Sequence, residues 1–204
     1  MPRFLSRLLP RLVVLLVAPV LAFAVGAAAP AKKTETAIFS GGCFWCMEHD
    51  MKLPGVISVE SGYTGGTLKN PHYEDVLTER TGHYESVRVT YDPERLPYAA
   101  LVNRYWKLVD PTDEGGQFCD RGPSYKTAVF VNSPDQRRIA EASRAEAAKA
   151  LKIGKMTTQI LDAKEFYPAE EYHRDYAVRN AGAYQRYRMG CGRDARLAVV
   201  WGRG

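Results

Sequence analysis

The spacing of apolar and polar positions changes several times along the chain, and each change predicts an element. Thr36 to Ser40 is a short, largely apolar run halted by Gly41 and Gly42, which reads as a buried strand. A helix is expected from Cys43 to about Lys52, where Leu53-Pro54-Gly55 ends it. Ile57 to Tyr63 reads as a second strand, Thr64 to Pro71 as a loop punctuated by glycine and proline, and a short helix is expected near Tyr73. Val87, Val89 and Tyr91 alternate with Arg88 and Thr90, a half-buried strand that Asp92-Pro93 stops. Leu101, Val102, Tyr105, Trp106 and Val109 then repeat at the spacing of an amphipathic helix that begins at Tyr98. A polar loop, Asp110 to Ser124, leads to a strand from Tyr125 to Val131. Ser133, Pro134 and Gln136 form a capping box with proline at the first helical position, opening a helix that runs to about Leu151. Thr157 to Leu161 reads as one more strand and Glu170 to Arg179 as another helix.

Between residues 36 and 131 the order is therefore strand, helix, strand, strand, helix, strand. That is the split βαβ arrangement, and it predicts an α+β, ferredoxin-like two-layer sandwich. Extra helices and a coiled C-terminal tail complete the expectation, with residues 36–204 as one domain and 31–35 as a linker.

The first thirty residues follow another logic. Arg3, Arg7 and Arg11 face no acid, and an uncharged apolar run from Leu12 to Ala29 ends in small residues. A basic start, an apolar middle and an alanine-rich exit predict a secretory signal peptide, with a retained membrane anchor as the rival reading. Arg11 stands alone before the apolar run, so nothing supports a twin-arginine route. The expected location is the periplasm or envelope. Without these three arginines the net charge of +5 falls to about +2, which leaves no basic stripe for nucleic acid.

Four cysteines remain, Cys43, Cys46, Cys119 and Cys191, and in an oxidising compartment structural disulfides are the ordinary expectation. Cys43 reads differently. It follows Gly41-Gly42 at a helix start, where free N–H groups and the helix dipole favour a thiolate, the nucleophilic form. The two glycines allow a sharp turn that leaves the sulfur approachable. Phe44 and Trp45 read equally well as core residues or as walls of a pocket for a small apolar group.

Gly42-Cys43-Phe44-Trp45 resembles the active-site signature of the A-type peptide methionine sulfoxide reductases. Further matches follow in order: Gly62 to Gly66, Asn70 to Tyr73, Thr81 to Glu85, Tyr91 to Pro93, Asp110 to Thr112, Asp120 to Tyr125, Phe166 to Glu170 and Tyr172-His173. The resemblance implies that Cys43 attacks the sulfur of methionine S-sulfoxide, free or in peptides. It also implies that Glu85 protonates the oxygen, with Tyr73 and Tyr125 as hydroxyl donors around it and Asp120 supporting them. Phe44 and Trp45 would hold the substrate methyl group. Release of methionine leaves a sulfenic acid on Cys43, which a second thiol converts to a disulfide that a thioredoxin-like dithiol reopens. No cofactor or metal is expected, and the protein is expected to act as a monomer.

For the second thiol, Cys191 is the first choice, since it resembles the family's C-terminal recycling cysteine and lies in the glycine-flanked stretch Met189 to Arg193. Cys46 departs from the family's usual glycine and forms a Cys-x-x-Cys with Cys43, a spacing compatible with a disulfide. Cys119 directly precedes Asp120. A relay through two of these thiols and a permanent Cys119–Cys191 staple both stay open. Two other functions compete. A thiol–disulfide oxidoreductase built on Cys43 and Cys46 would leave Glu85, Tyr73 and Asp120 without a task. A zinc module would use the cysteines with His49, His72, His83 or His173, but no second close cysteine pair follows the first. His173 is expected at the surface or behind the site.

Overall fold

The computed structural model describes residues 33–202, so the N-terminal segment expected to direct export lies outside the described residues. The first six main elements follow the expected order: β1 (Glu35–Gly41), α1 (Phe44–Asp50), β2 (Val56–Thr64), then the short α2 (Tyr73–Leu77), β3 (Tyr84–Tyr91) and α3 (Tyr98–Trp106). The small strands β4 (Gly116–Gln117) and β5 (Asp120–Arg121) form a hairpin inside the predicted polar loop. After a 3₁₀ turn at Pro123–Tyr125 come β6 (Thr127–Val131), α4 (Pro134–Leu151), β7 (Gln159–Asp162) and β8 (Tyr167–Pro168). Three helices close the chain: α5 (Tyr176–Arg179), α6 (Ala181–Gly190) and α7 (Arg193–Trp201).

Six strands form one sheet in the order β7-β6-β1-β3-β2-β8. Within it, β3 lies antiparallel between β1 and β2, and β6 pairs antiparallel with the other edge of β1. This is the split βαβ arrangement predicted from the element order, extended by β7 parallel to β6 and β8 antiparallel to β2. The period-two pattern of the strands separates two cores. Ala37, Phe39, Val87, Val89, Tyr91, Val129 and Val131 join Met47 and Met51 of α1, and Leu101, Val102, Tyr105 and Trp106 of α3, in the larger cluster. Ile38, Ala128 and Phe130 belong to the smaller one, with Leu161 and Phe166 packed against them. Ser133 caps α4 as predicted, its Oγ accepting from the Gln136 N–H at 3.2 Å, but the return bond of a capping box is displaced: the Gln136 side chain accepts from the Asn132 N–H at 3.0 Å, one residue before the cap.

Two expectations fail at the C-terminal end. The helix expected over Glu170–Arg179 is a 3₁₀ turn at Glu171–His173 and the single turn α5, because Asp175 between them takes a left-handed φ of 50°. The Asp175 N–H is held by the Glu48 carboxylate of α1 at 3.0 Å, so a tertiary hydrogen bond overrides local helix preference. The expected coiled tail is helical as well. α6 buries Tyr184 and α7 buries Arg193 and Leu197, and Gly192 turns the chain between them at φ 65°.

Candidate active site

Each predicted site residue occupies a defined place on this frame. Gly42 turns the chain at φ 77° with its α-carbon against Gln117, where a β-carbon would come within 2.6 Å of the Gln117 side chain. Only glycine fits that approach. Cys43 is therefore delivered as the N-cap of α1, its carbonyl accepting from the Cys46 and Met47 N–H groups at 3.2 Å. Phe44, Trp45 and Cys46 form the first turn of α1. Glu85 comes from β3, Tyr73 begins α2, Asp120 lies on β5 and Tyr125 ends the 3₁₀ turn.

The seven residues Cys43, Phe44, Trp45, Tyr73, Glu85, Asp120 and Tyr125 line one cavity of 230 Å³, together with Tyr187 of α6. Glu85 is 2% exposed and accepts the Phe44 N–H at 2.9 Å. Burial outweighs that single donor and pushes its carboxyl up to about 8, with the nearby Asp120 and Cys46 charges adding to the rise. At neutral pH Glu85 therefore keeps its proton. The Tyr125 hydroxyl donates to the Tyr73 oxygen, and burial pushes Tyr73 up to about 12 and Tyr125 further, so both stay hydroxyl donors at neutral pH. Asp120 is raised by burial, against the Tyr187 hydroxyl, the Arg193 charge and the Cys43 N–H, all of which favour its anion.

The aromatic residues divide between core and cavity wall. Phe44 is buried against Tyr63 and His173, with ring centroids 5.8 and 5.0 Å away. Trp45 stacks on Tyr176 at 3.8 Å, meets Tyr187 edge-on, and donates its indole N–H to Nδ1 of His173 at 3.1 Å. His173 is only 3% exposed, so it lies behind the site rather than at the surface, and burial lowers its pKa and keeps it neutral.

Two readings of the cysteines change. Cys43 is not held as a thiolate in the resting site. Burial comes first, then the hydrogen bond and charge of Cys46 and the charge of Glu85, and together they push the Cys43 thiol well above its ordinary value. Its neighbour shows the low value instead: Cys46 is brought down to about 7 by the Cys43 thiol, against its own burial and with help from the charges of Arg193 and Arg188. The helix start does not prevail because its seven residues offer a weak field and the sulfur is nearly sealed from water, at 5% exposure. The second observation concerns Cys191. It is bonded to Cys119, with α-carbons 4.9 Å apart, while Cys43 and Cys46 are both free and buried. The stretch expected to swing freely is the helical end of α6, and its cysteine is covalently occupied.

Tyr187 was missed from sequence. Its hydroxyl donates to Asp120 at 2.6 Å and lies within hydrogen-bonding reach of the Cys43 sulfur. The available signal was the i, i+3, i+7 spacing of Tyr184, Tyr187 and Cys191, one face of a helix, masked by the glycines at 182, 190 and 192.

A model of the family described as peptide methionine sulfoxide reductase matches residues 35–203. The chain belongs to this family. It is 68% identical over 197 residues to the Caulobacter vibrioides protein named peptide methionine sulfoxide reductase MsrA 2, covering 94% of this chain and 98% of the relative. Among solved structures it is similar to methionine sulfoxide reductase A of Corynebacterium diphtheriae, with TM-score 0.65, 34% identity and coverage of 72% of this chain and 76% of that one. Reduced Mxr1 of Saccharomyces cerevisiae superposes with TM-score 0.69 at 26% identity, covering 76% of this chain and 90% of that one. Family membership accords with the convergence of side chains from six separate elements on one small cavity.

Proposed function

We propose that this chain reduces the S-epimer of methionine sulfoxide, free and in peptides, to methionine in the Cys43–Glu85 cavity. The observation that carries this is a neutral carboxylic acid, buried and raised to about 8, beside a nucleophilic sulfur in a cavity of 230 Å³. A sulfoxide sulfur accepts a nucleophile only when its oxygen is protonated or strongly hydrogen-bonded. Glu85 supplies that proton, and Tyr73 and Tyr125 hold the oxygen. Phe44 and Trp45 receive the methyl group. As Cys43 attacks, its own proton passes to the Cys46 sulfur, which titrates near neutrality. Attack forms a bond between the two sulfurs; the protonated oxygen then passes to the Cys43 sulfur as that bond and the substrate S–O bond break, so methionine leaves and Cys43 is left as a sulfenic acid.

Cys46 is the proposed resolving thiol. It condenses with the sulfenic acid, releasing water and forming a Cys43–Cys46 disulfide, which a thioredoxin-like dithiol of the cell envelope reopens. Export is proposed from the basic and apolar pattern of residues 1–29. Cell fractionation with an antibody to the folded domain checks it, and a purely cytoplasmic signal would refute it.

The main test is methionine formation from N-acetyl-methionine sulfoxide by the purified protein with a dithiol, followed by mass spectrometry after one turnover. Cys43→Ser is expected to form no product. Cys46→Ser is expected to form one equivalent and stop at the sulfenic acid, whereas Cys191→Ala continues to recycle. Insulin disulfide reduction without sulfoxide reduction would favour a thiol–disulfide oxidoreductase instead.

A further inference from the structure

Arg193, the first residue of α7, is the largest charged side chain in the interior, at 1% exposure. Its Nη2 donates to the Leu108 carbonyl at 2.7 Å and to the Met47 sulfur at 3.4 Å, and its Nη1 donates to the Gly41 carbonyl at 3.3 Å. The guanidinium also lies 4.6 Å from the Phe118 ring centroid. Every one of these contacts is neutral. Among the described residues it forms no ion pair with a carboxylate, and its buried Nε has no hydrogen-bond partner. A buried cation with no carboxylate in contact is costly, so a nearby anion would stabilise it.

The contacts say where that anion is. Gly41 is two residues before Cys43, and Met47 directly follows Cys46, so the guanidinium sits beneath the turn that carries both free thiols. The nearby Arg188 is in a different state, since Asp50 and Asp194 pair with it at 2.9 and 2.6 Å and Tyr184 hydrogen-bonds it. Asp120 and Asp194 feel the Arg193 charge only at longer range, without a salt bridge. We propose that Arg193 is a positioning residue whose charge is the counter-ion of the Cys46 thiolate, making Cys46 the resident anion of the thiol pair. The proposal rests on the reductase reading and explains how that site divides labour between two cysteines. Cys46 holds the negative charge in the resting state and takes up the proton when Cys43 attacks. The other titratable or charged groups around the pair are Tyr73 of α2, Glu85 of β3, Asp120 of β5, and Tyr184, Tyr187 and Arg188 of α6. Of these, Glu85 keeps its proton below about 8 and opposes a Cys43 thiolate above it, while Arg188, though held by two carboxylates, adds its charge to that of Arg193 at Cys46.

The experiment is a titration of ultraviolet thiolate absorbance in protein whose Cys119–Cys191 bond is intact, leaving Cys43 and Cys46 as the free thiols. The parent is expected to show one step near 7, absent in Cys46→Ser. Arg193→Gln, which can still donate to the Gly41 or Leu108 carbonyl but carries no charge, is expected to move that step up by about one pH unit or more, as loss of a nearby opposite charge does. Arg193→Lys, which keeps the charge but loses the planar donor set, is expected to stay near the parent. A purely structural arginine predicts the reverse order. The proposal is overturned if Gln titrates like the parent, if Lys moves as far as Gln, or if the step survives in Cys46→Ser. Near-ultraviolet circular dichroism selects folded variants, with Arg193→Met as the alternative charge-free substitution. Methionine formation is measured separately on the parent: its absence sinks the reductase reading, while an unmoved titration with normal turnover sinks only the role of Arg193.

Discussion

At the scale of single residues, the site depends on keeping one carboxyl neutral. Glu85 needs its proton to activate a sulfoxide, and the fold enforces this by burying it with one N–H donor instead of the two or three that would stabilise its anion. Two consequences have opposite signs. The rate is expected to fall as pH rises through about 8, because the acid is then lost, and Glu85→Gln is expected to lower the rate and remove that limb. For stability, a folded-state value above the unfolded one means the folded protein binds the extra proton. The stability is fully present below about 4.5 and is lost as pH rises through about 8. Glu85→Gln should therefore be more stable than the parent at pH 8, by roughly 3–5 kcal/mol from the size of the rise. The gain should vanish near pH 4. Urea unfolding of both proteins at the two pH values checks this, and equal stability at pH 8 would mean that the carboxyl is better solvated than the cavity implies.

At the scale of elements, α6 is the part of the site that the sequence reading lost. Its buried Tyr184 lies near Cys46, Tyr187 reaches Asp120 and Cys43, and Arg188 ties the helix to Asp50 of α1. These three side chains and Cys191 recur at intervals of three and four, so one helical face closes the cavity over the thiols. Tyr187→Phe keeps the ring against Trp45 but removes the donor to Asp120 and Cys43. We expect kcat to fall about tenfold with KM little changed. That is less than the hundredfold or more typical of losing a donor aimed at the reacting oxygen itself. A KM rise with constant kcat would assign Tyr187 to substrate binding alone.

At the scale of the whole molecule, the Cys119–Cys191 bond joins the β4–β5 hairpin to the end of α6 across 72 residues of sequence. It fastens the loop bearing Asp120 to the helix bearing Tyr187, two partners joined by a single hydrogen bond in the site. Closing so long a loop is expected to contribute about 2–4 kcal/mol. The Cys119→Ala, Cys191→Ala double variant should melt at a lower temperature while still forming one equivalent of methionine from the sulfoxide. Loss of that first equivalent in a folded double variant would make the bond part of the chemistry as well as a brace.

Elements whose instructions are local can be read along the chain: the period-two strands and their split βαβ order, the Ser133 cap, and the glycine turn delivering Cys43. The family motifs were equally legible, and the cavity gathers the candidates Tyr73, Glu85, Asp120 and Tyr125 around Cys43. How charge divides between Cys43 and Cys46, which thiols are joined, and the helical C-terminal end depend on contacts between remote segments. Asp175 left the predicted helix because Glu48, far away in sequence, captured its N–H. Cys43 stayed protonated because distant elements sealed it from water and set Cys46 beside it. Periodicity and capping act over a few residues and can be read along the chain, whereas desolvation and charge pairing depend on which remote residues the fold brings near.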